Sequence, residues 1–250
     1  MKMLHRFFVN RQCFHDFKVV ITDQQAHQIL RVLRLRVGDH IIVLDNEGLE
    51  YEVALADIVK NQIKCDIIDK RRAKGEPQTR ITLYQSMLAR DKFEWLLQKC
   101  TEIGVWRFTP VITQRSLVRN SDKVSPAKLE RWQRIITEAT EQSHRGLIPE
   151  IDRPVGFTEC IGRLSEFDLA MIGSISEDSR PLGKCLEECG KPMNVALLIG
   201  PEGGFTDDEI KLACENGAAA FSLGPQVLRT ETAAMVASAL VLYELGQMER

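Results

Sequence analysis

The chain has 250 residues, 44% of them hydrophobic and 27% charged, with a formal net charge of −2. That is enough chain to bury a core in one large domain or two modest ones, and the balance is that of an ordinary globular protein. The longest apolar run, residues 233–243, is too short and too rich in alanine to span a bilayer.

The opening MKMLHRFFVNRQ carries no apolar stretch of signal-peptide length. Seven cysteines without one Cys-x-x-Cys pair argue against a disulfide or zinc framework. Cys185 and Cys189 share a helical face and read as packing. A reducing, cytoplasmic location and no metal are therefore expected. The near-neutral total also conceals an asymmetry. Residues 1–145 hold 25 Lys/Arg against 18 Asp/Glu, and residues 146–250 hold 8 against 17. The first part can attract phosphates and the second cannot, unless the charges merely cluster on solvated faces.

Taken in chain order, residues 1–70 read as a small β-rich domain. One amphipathic helix over residues 24–33 precedes short β-branched strands separated by Gly-Asp, Asn-Glu-Gly and Lys-Asn turns, the pattern of a barrel or sandwich. Residues 69–80, DKRRAKGEPQTR, read as a linker with a basic tip. From Arg80 onward strands are expected near residues 81–85, 106–112, 169–173, 195–199 and 219–223, with helices between them. That alternation predicts a parallel sheet with helices on both faces. Asp91 with Glu94 is expected to open the first of these helices. Ser125 before Pro126 is expected to cap another that runs to Gly146 as its C′ residue.

The stretch LLIGPEGGFTDDEI, residues 197–210, ends an apolar strand on a Gly-Pro-Glu-Gly-Gly loop. Thr206 and Glu209 form a T-x-x-E capping box, with Phe205 and Ile210 as the hydrophobic staple. The helix start fixes residues 201–204 as a tight loop at the carboxyl end of a strand, where parallel sheets bind ligands. Glycines let a backbone approach a ligand closely. Glu202 and the lack of G-x-G-x-x-G speak against a pyrophosphate cradle and against a nucleotide-dependent oxidoreductase. A tight structural turn fits this loop equally well. Residues 222–240, SLGPQVLRTETAAMVASAL, repeat the design: strand, Leu-Gly-Pro loop, and a helix expected to be capped by Thr230. Small residues at Ala233/Ala237 and Ala234/Ser238 fit either a buried helix or close packing against a crossing chain or partner subunit.

Six stretches in order, HRFFV (5–9), HQILRVLRLRVGD (27–39), KFEWLLQKCTEIGV (92–105), RWQRIITEATEQSHR (131–145), LLIGPEGGFTDDEI and LGPQVLRTETA, resemble the bacterial ribosomal RNA small subunit methyltransferase E family over essentially the whole chain. The resemblance implies a PUA-like β-barrel RNA-binding domain over residues 1–72 and an α/β trefoil-knotted SPOUT methyltransferase domain over residues 73–250. It implies S-adenosylmethionine as methyl donor, N3 of a uridine in 16S ribosomal RNA as acceptor, and a homodimer. Gly200, Glu202, Gly203 and Gly204 would form one wall of the cofactor pocket and Leu223, Gly224, Val227 and Leu228 another, with Ile172 and Leu198 at its base. Gln226 stands where the family more often has arginine, and His144 where a small residue is commoner. A related enzyme acting on another RNA site, or a non-catalytic RNA-binding assembly factor, are the alternatives.

Uridine N3 is a weak acid, so methylation there needs deprotonation or stabilisation of charge on O2 and O4. Arg229, permanently charged and rich in donors, is the first candidate, with an ion pair to Glu231 as its structural alternative. Glu138, Glu141 or Gln142, and Arg145 are expected on one helical face, as a cleft wall or a salt-bridged surface. Glu102 has similar standing, and no general base is assigned. Arg6, His27, Arg34, Arg36, Arg71, Arg72, Lys74, Arg90 and Lys92 are the candidate phosphate contacts. Phe7 and Phe8 could stack on a base or pack in the core. A base modified on its Watson–Crick edge must be unpaired or extruded, which favours the assembled small subunit as substrate.

Overall fold

The computed structural model describes residues 4–116, 124–176 and 178–249, with Arg90 described by its backbone alone. Contacts divide the chain into residues 1–76 with 140–148, and residues 77–139 with 149–250. The first unit therefore takes back a segment from beyond residue 73, where the sequence suggested an uninterrupted second domain.

In the first unit the strands are β1 (Arg6–Phe8), β2 (Phe14–His15), β3 (Lys18–Ile21), β4 (His40–Leu44), β5 (Leu49–Val59) and β6 (Gln62–Arg72). They form one sheet in the order β1-β4-β5-β6-β3-β2, antiparallel except for β1 beside β4. Alternation sets the faces: Ile63 and Cys65 are buried while Gln62, Lys64 and Asp66 are exposed. Helix α1 (Asp23–His27) lays Ala26 on the sheet, and Ile29 follows from the next turn. The single helix expected over residues 24–33 instead widens into a π turn over Gln28–Val32. The Leu33 N–H reaches Gln28 O and the Leu35 N–H reaches Ile29 O, so the terminal carbonyls take donors five and six residues on. Asp69 to Arg72 belong to β6, so the basic tip of the expected linker is strand.

The returning segment is held by Glu76. Its carboxylate accepts from the Arg145 guanidinium (2.8 Å), the Gly146 N–H (2.8 Å) and the Leu147 N–H (3.1 Å). Asn46 Oδ1 accepts the Ile148 N–H, and Glu141 Oε1 accepts the Phe8 N–H. Gly146 is not the helix cap. The helix ends at Gln142, His144 takes the left-handed conformation (φ 63°), and the Arg145 N–H caps Thr140 O. Gly146 is needed elsewhere: a Cβ there would lie 2.2 Å from the Ala73 Cβ.

The second unit carries β7 (Arg80–Ser86), α2 (Arg90–Ile103), β8 (Arg107–Ile112), the main part of α3 (Pro126–Gln142), β9 (Glu150–Ile151), β10 (Val155–Gly156), α4 (Phe157–Gly162), β11 (Leu169–Gly173), β12 (Arg180–Pro181), α5 (Leu182–Cys189), β13 (Asn194–Ile199), α6 (Asp207–Glu215), β14 (Ala218–Ser222) and α7 (Thr230–Glu244). The sheet is parallel throughout, in the order β10-β8-β7-β13-β11-β14-β12 with β9 beside β8. α2 and α5 pack with α7, and α4 with α6, as two helical groups. Asp91 does not cap α2. The helix begins at Arg90 after Ala89, and Glu94 turns to Arg131 at 2.7 Å. Ser125 does cap α3, its hydroxyl accepting the Lys128 N–H.

Two measurements check the energetics of the first unit. Glu76→Ala strips Arg145 of its carboxylate partner in a site where that side chain is 4% exposed. It should cost about 3–5 kcal/mol in urea unfolding, with Glu76→Gln costing less. Glu50 lies between Arg6 and Arg71. Burial pushes its carboxyl up, but hydrogen bonds and charge from Arg71 and Arg6 outweigh that and hold it below 4.5. A carboxyl depressed in the folded state stabilises above its unfolded pKa, and that stabilisation goes as pH falls through the folded value. The urea midpoints of wild type and Glu50→Gln should therefore differ at pH 7 and converge as pH is lowered below 4.5.

Candidate functional site

Two glycine loops leave the carboxyl ends of β13 and β14, the position where open parallel sheets bind ligands. The first, residues 200–204, is a β-turn closed by the Gly204 N–H on Pro201 O (2.8 Å), with Gly204 at φ 68°. The capping box forms as expected: Glu209 Oε2 accepts the Thr206 N–H and Thr206 Oγ1 accepts the Glu209 N–H. Gly200 sits inside the return of its own loop. A Cβ there would lie 3.0 Å from Phe205 N and 3.2 Å from Gly204.

Thr230 does not cap α7; it is the first helical residue, after Arg229. Its hydroxyl donates to Gly200 O and accepts from Gln85 Nε2 at 3.1 Å. The reason is burial: Thr230 and Gln85 lie under the loops, where a hydroxyl that reaches a neighbouring carbonyl is better satisfied than one turned back on its own helix. That hydroxyl ties the second loop to the first.

A third segment braces the first loop and was not singled out by its sequence. Residues 113–116, TQRS, leave β8 in a turn closed by Ser116 Oγ on the Thr113 N–H and by the Ser116 N–H on Thr113 O. The Gln114 N–H donates to Glu209 Oε1, and Arg115 Nη1 donates to Gly203 O (2.8 Å) and Phe205 O (3.2 Å). Only the distance in sequence hid it. With those bonds made, the carbonyls of Gly200, Pro201, Gly203 and Phe205 are occupied. The amides of Glu202, Gly203 and Phe205 carry no hydrogen bond from the described residues. The carbonyls of Glu202 and Gly204 are likewise unpaired among the described residues, so the loop can offer donors and acceptors to a ligand.

Ile172 and Leu198 are neighbours in register and fully buried, so they support the loops from the core. Leu223 is half-buried, Gly224 takes φ 116°, and Val227 is 78% exposed. Leu223 and Gly224 line a cleft of about 410 Å³ with Ser179, Pro181, Leu182 and Leu240, which does not include residues 200–204. Glu202 pairs with Lys92 at 3.1 Å, so Lys92 is already engaged. Arg229 is exposed and makes no ion pair among the described residues, Glu231 included. Glu138 is likewise exposed, and Glu102 is taken by Lys99. The expected helical face does not hold together: Arg145 lies past the helix end, buried on Glu76.

In the first unit His27, Arg34, Arg36, Arg72 and Lys74 are exposed without an ion pair among the described residues, and so is Arg31, which the sequence reading left out. Arg6 is not a surface group; its side chain is 9% exposed and pairs with Glu50, which also takes Arg71. The Arg90 side chain lies outside the described residues. Phe7 and Phe8 are core residues; the exposed aromatic of this unit is Phe17, at 81%. All seven cysteines are free, and burial pushes the Cys160 thiol up to about 12. Among the described residues no cluster could hold a metal ion, and no helix is long and apolar enough to cross a membrane.

Comparison with known proteins places these features. Residues 75–242 match the model of an RNA methyltransferase domain and residues 21–68 that of an RNA methyltransferase PUA domain. The ribosomal RNA small subunit methyltransferase E of Synechocystis is 35% identical over 96% of this chain and 77% of its own length. That of Bacillus subtilis is 31% identical over 90% and 89%. A crystal structure of the Neisseria gonorrhoeae enzyme bound to S-adenosyl methionine is 30% identical, covers 96% of this chain and 98% of its own, and superposes with a TM-score of 0.84. The chain belongs to the ribosomal RNA small subunit methyltransferase E family.

Proposed function

We propose that this protein transfers a methyl group from S-adenosylmethionine to N3 of a uridine in 16S ribosomal RNA. The observation that carries the reading is the pair of glycine loops joined by Thr230 and Gly200. Their amides at Glu202, Gly203 and Phe205 and carbonyls at Glu202 and Gly204, unpaired among the described residues, suit a ligand with both acceptors and donors, and Gly200 has no room for a side chain. The N. gonorrhoeae relative carries S-adenosyl methionine, and these residues suit the same cofactor. Gly200, Glu202, Gly203 and Gly204 would hold it from one side and Leu223, Gly224, Val227 and Leu228 from the other. When bound, it supplies an electrophilic methyl group on a sulfonium.

The chain's own part is to orient uracil and manage one charge. Arg229 stands at the start of α7 beside the joined loops, exposed and without a counter-ion among the described residues. Its guanidinium can stabilise negative charge on O2 and O4 as N3 loses its proton. Glu138 is retained as a candidate at the substrate side. Arg145 acts indirectly, by holding residues 145–147 on Glu76. His27, Arg31, Arg34, Arg36 and Arg72 are the phosphate contacts, and the assembled small subunit is the substrate in which the base is presented.

The family resemblance further supports a trefoil knot in the second unit, a barrel-like closure of the first, a cytoplasmic enzyme and a homodimer. Exposed Tyr243 and Leu240 at the end of α7 give such a dimer apolar surface.

Labelled methyl transfer to small subunits lacking base methylations, followed by nucleoside mass spectrometry, tests the reading. Label in 3-methyluridine is the expected result; label in another nucleoside rejects the specificity, and no label beside an active control enzyme rejects catalysis. Arg229→Ala should lower kcat roughly 10²- to 10³-fold while the S-adenosylmethionine Kd stays within about twofold. Gly200→Ala should raise that Kd by about tenfold or more, because the added Cβ meets the loop backbone; calorimetry and circular dichroism together separate this from unfolding.

A further inference from the structure

Arg115 stands at the end of the turn that leaves β8, exposed, yet its guanidinium is spent on the backbone of another loop. One nitrogen, Nη1, bridges Gly203 O and Phe205 O. The two peptides it grips are the Gly203–Gly204 and Phe205–Thr206 units. A peptide is planar and trans, so pulling its carbonyl one way aims its N–H the other. The Gly204 N–H accordingly points back to Pro201 O, and the Thr206 N–H to Glu209 Oε2. Between these two fixed planes lies the Gly204–Phe205 peptide, whose N–H has no partner among the described residues and lies against Gly200, 3.0 Å from where a Cβ would stand.

Adjacent glycines are the residues that lose most freedom when a loop becomes ordered. Gly203 and Gly204 have no side chain to hold them. A Cβ on Gly203 would find Arg115 itself as its neighbour, at 3.4–3.6 Å, and one on Gly204 would find nothing within 4 Å. Order in this segment therefore comes from the turn bond of the Gly204 N–H to Pro201 O, from Arg115, and from Glu209, which the Gln114 N–H holds in place. A loop ordered before the ligand arrives keeps the affinity that an unordered loop would lose in becoming ordered.

We propose that Arg115 is a positioning residue of the cofactor loop, setting affinity for S-adenosylmethionine by pre-ordering residues 203–205 without touching the reacting atoms. The proposal rests on the reading of that loop as a cofactor wall. It assigns a function to the turn at residues 113–116, which carries the arginine to the loop from a sequence position far away.

The test compares wild type, Arg115→Ala and Arg115→Lys in the full chain by four readouts: calorimetric Kd for S-adenosylmethionine, KM and kcat on small subunits, thermal midpoint, and hydrogen exchange of the peptide spanning residues 199–206 without cofactor. Arg115→Ala should raise the Kd and the cofactor KM together by roughly ten- to a hundredfold, as loss of two hydrogen bonds from a charged donor implies. Exchange at Gly204 and Thr206 should quicken. The kcat at saturating cofactor, the KM for RNA and the thermal midpoint should change little. Arg115→Lys, with a compact ammonium in place of the fork, should recover only part of the affinity. An unchanged cofactor Kd overturns the proposal, whether exchange quickens or not. A rise confined to the KM for RNA also overturns it and makes Arg115 a substrate contact. If Arg115→Ala does not fold, Arg115→Lys decides, and wild-type affinity there overturns the proposal. Wild type that binds no S-adenosylmethionine overturns the cofactor reading itself, an outcome visible before any variant is compared.

Discussion

The hydroxyl of Thr230 is the constraint on which the rest of the site depends. It donates to Gly200 O while Gln85 Nε2 donates to it; Thr230 and Gln85 are buried, where water does not compensate a lost bond, and Gly200 is half-buried. Gly200 has no room for a Cβ, so its carbonyl is fixed in direction as well as place. Gln85 is the penultimate residue of β7, Gly200 follows β13, and Thr230 opens α7. One hydrogen-bonded row thus connects a central pair of strands to the helix that carries Arg229 on its threshold. Two loops that could each be an ordinary turn are thereby tied to one another.

The first loop is held by its carbonyls. Thr230 and Arg115 are both donors, and both are aimed at loop carbonyls. Glu209 takes the opposite part, accepting from Thr206 on one oxygen and from Gln114 on the other. A capping box that would stabilise a helix start by about a kilocalorie here also fixes the neighbouring turn. Among the described residues the amides of Glu202, Gly203 and Phe205 and the carbonyls of Glu202 and Gly204 remain unpaired, so the loop keeps both donors and acceptors. The Glu202 carboxylate in the same loop is paired with Lys92.

Features encoded within a few residues were legible in the sequence. The strands at β7, β8, β11, β13 and β14, the capping box at Thr206, the proline-led start of α3 and the two glycine loops all rest on local propensity and turn chemistry, and they stand in the structure. Features that join distant residues were not. Thr230 reads as an N-cap because a threonine before a helix ordinarily is one; only the position of Gly200 turns it elsewhere. Gly146 reads as a helix terminator until Ala73 is seen against it. Arg115 sits in a polar tetrapeptide with no signal of its own, and nothing in the helical spacing of Glu141 and Arg145 announces Glu76. Phe7 and Phe8 could be stacking or core residues by type, and the pairing of β1 with β4 decides for the core.

The same distinction runs through the arginines. Counting charge along the chain correctly found a basic first part, but it could not separate guanidinium groups that hold the fold from those that face solvent. Arg6, Arg71 and Arg145 each have a carboxylate brought to them by strand pairing or by the returning segment. Arg31, Arg34 and Arg36 protrude from a widened helical turn and its left-handed exit at Arg34; the acidic side chain that follows, Asp39, takes the Arg36 backbone N–H and is ion-paired with none of their guanidinium groups among the described residues. A guanidinium without a counter-ion keeps a field that reaches a phosphate and fades with added salt. The loop amides, by contrast, act only at hydrogen-bond distance and are little affected by ionic strength. Exposed charge in the first unit and the hydrogen bonds fixed by Thr230, Arg115 and Glu209 in the second therefore rest on different physics, the one long-ranged and screened by salt, the other confined to contact.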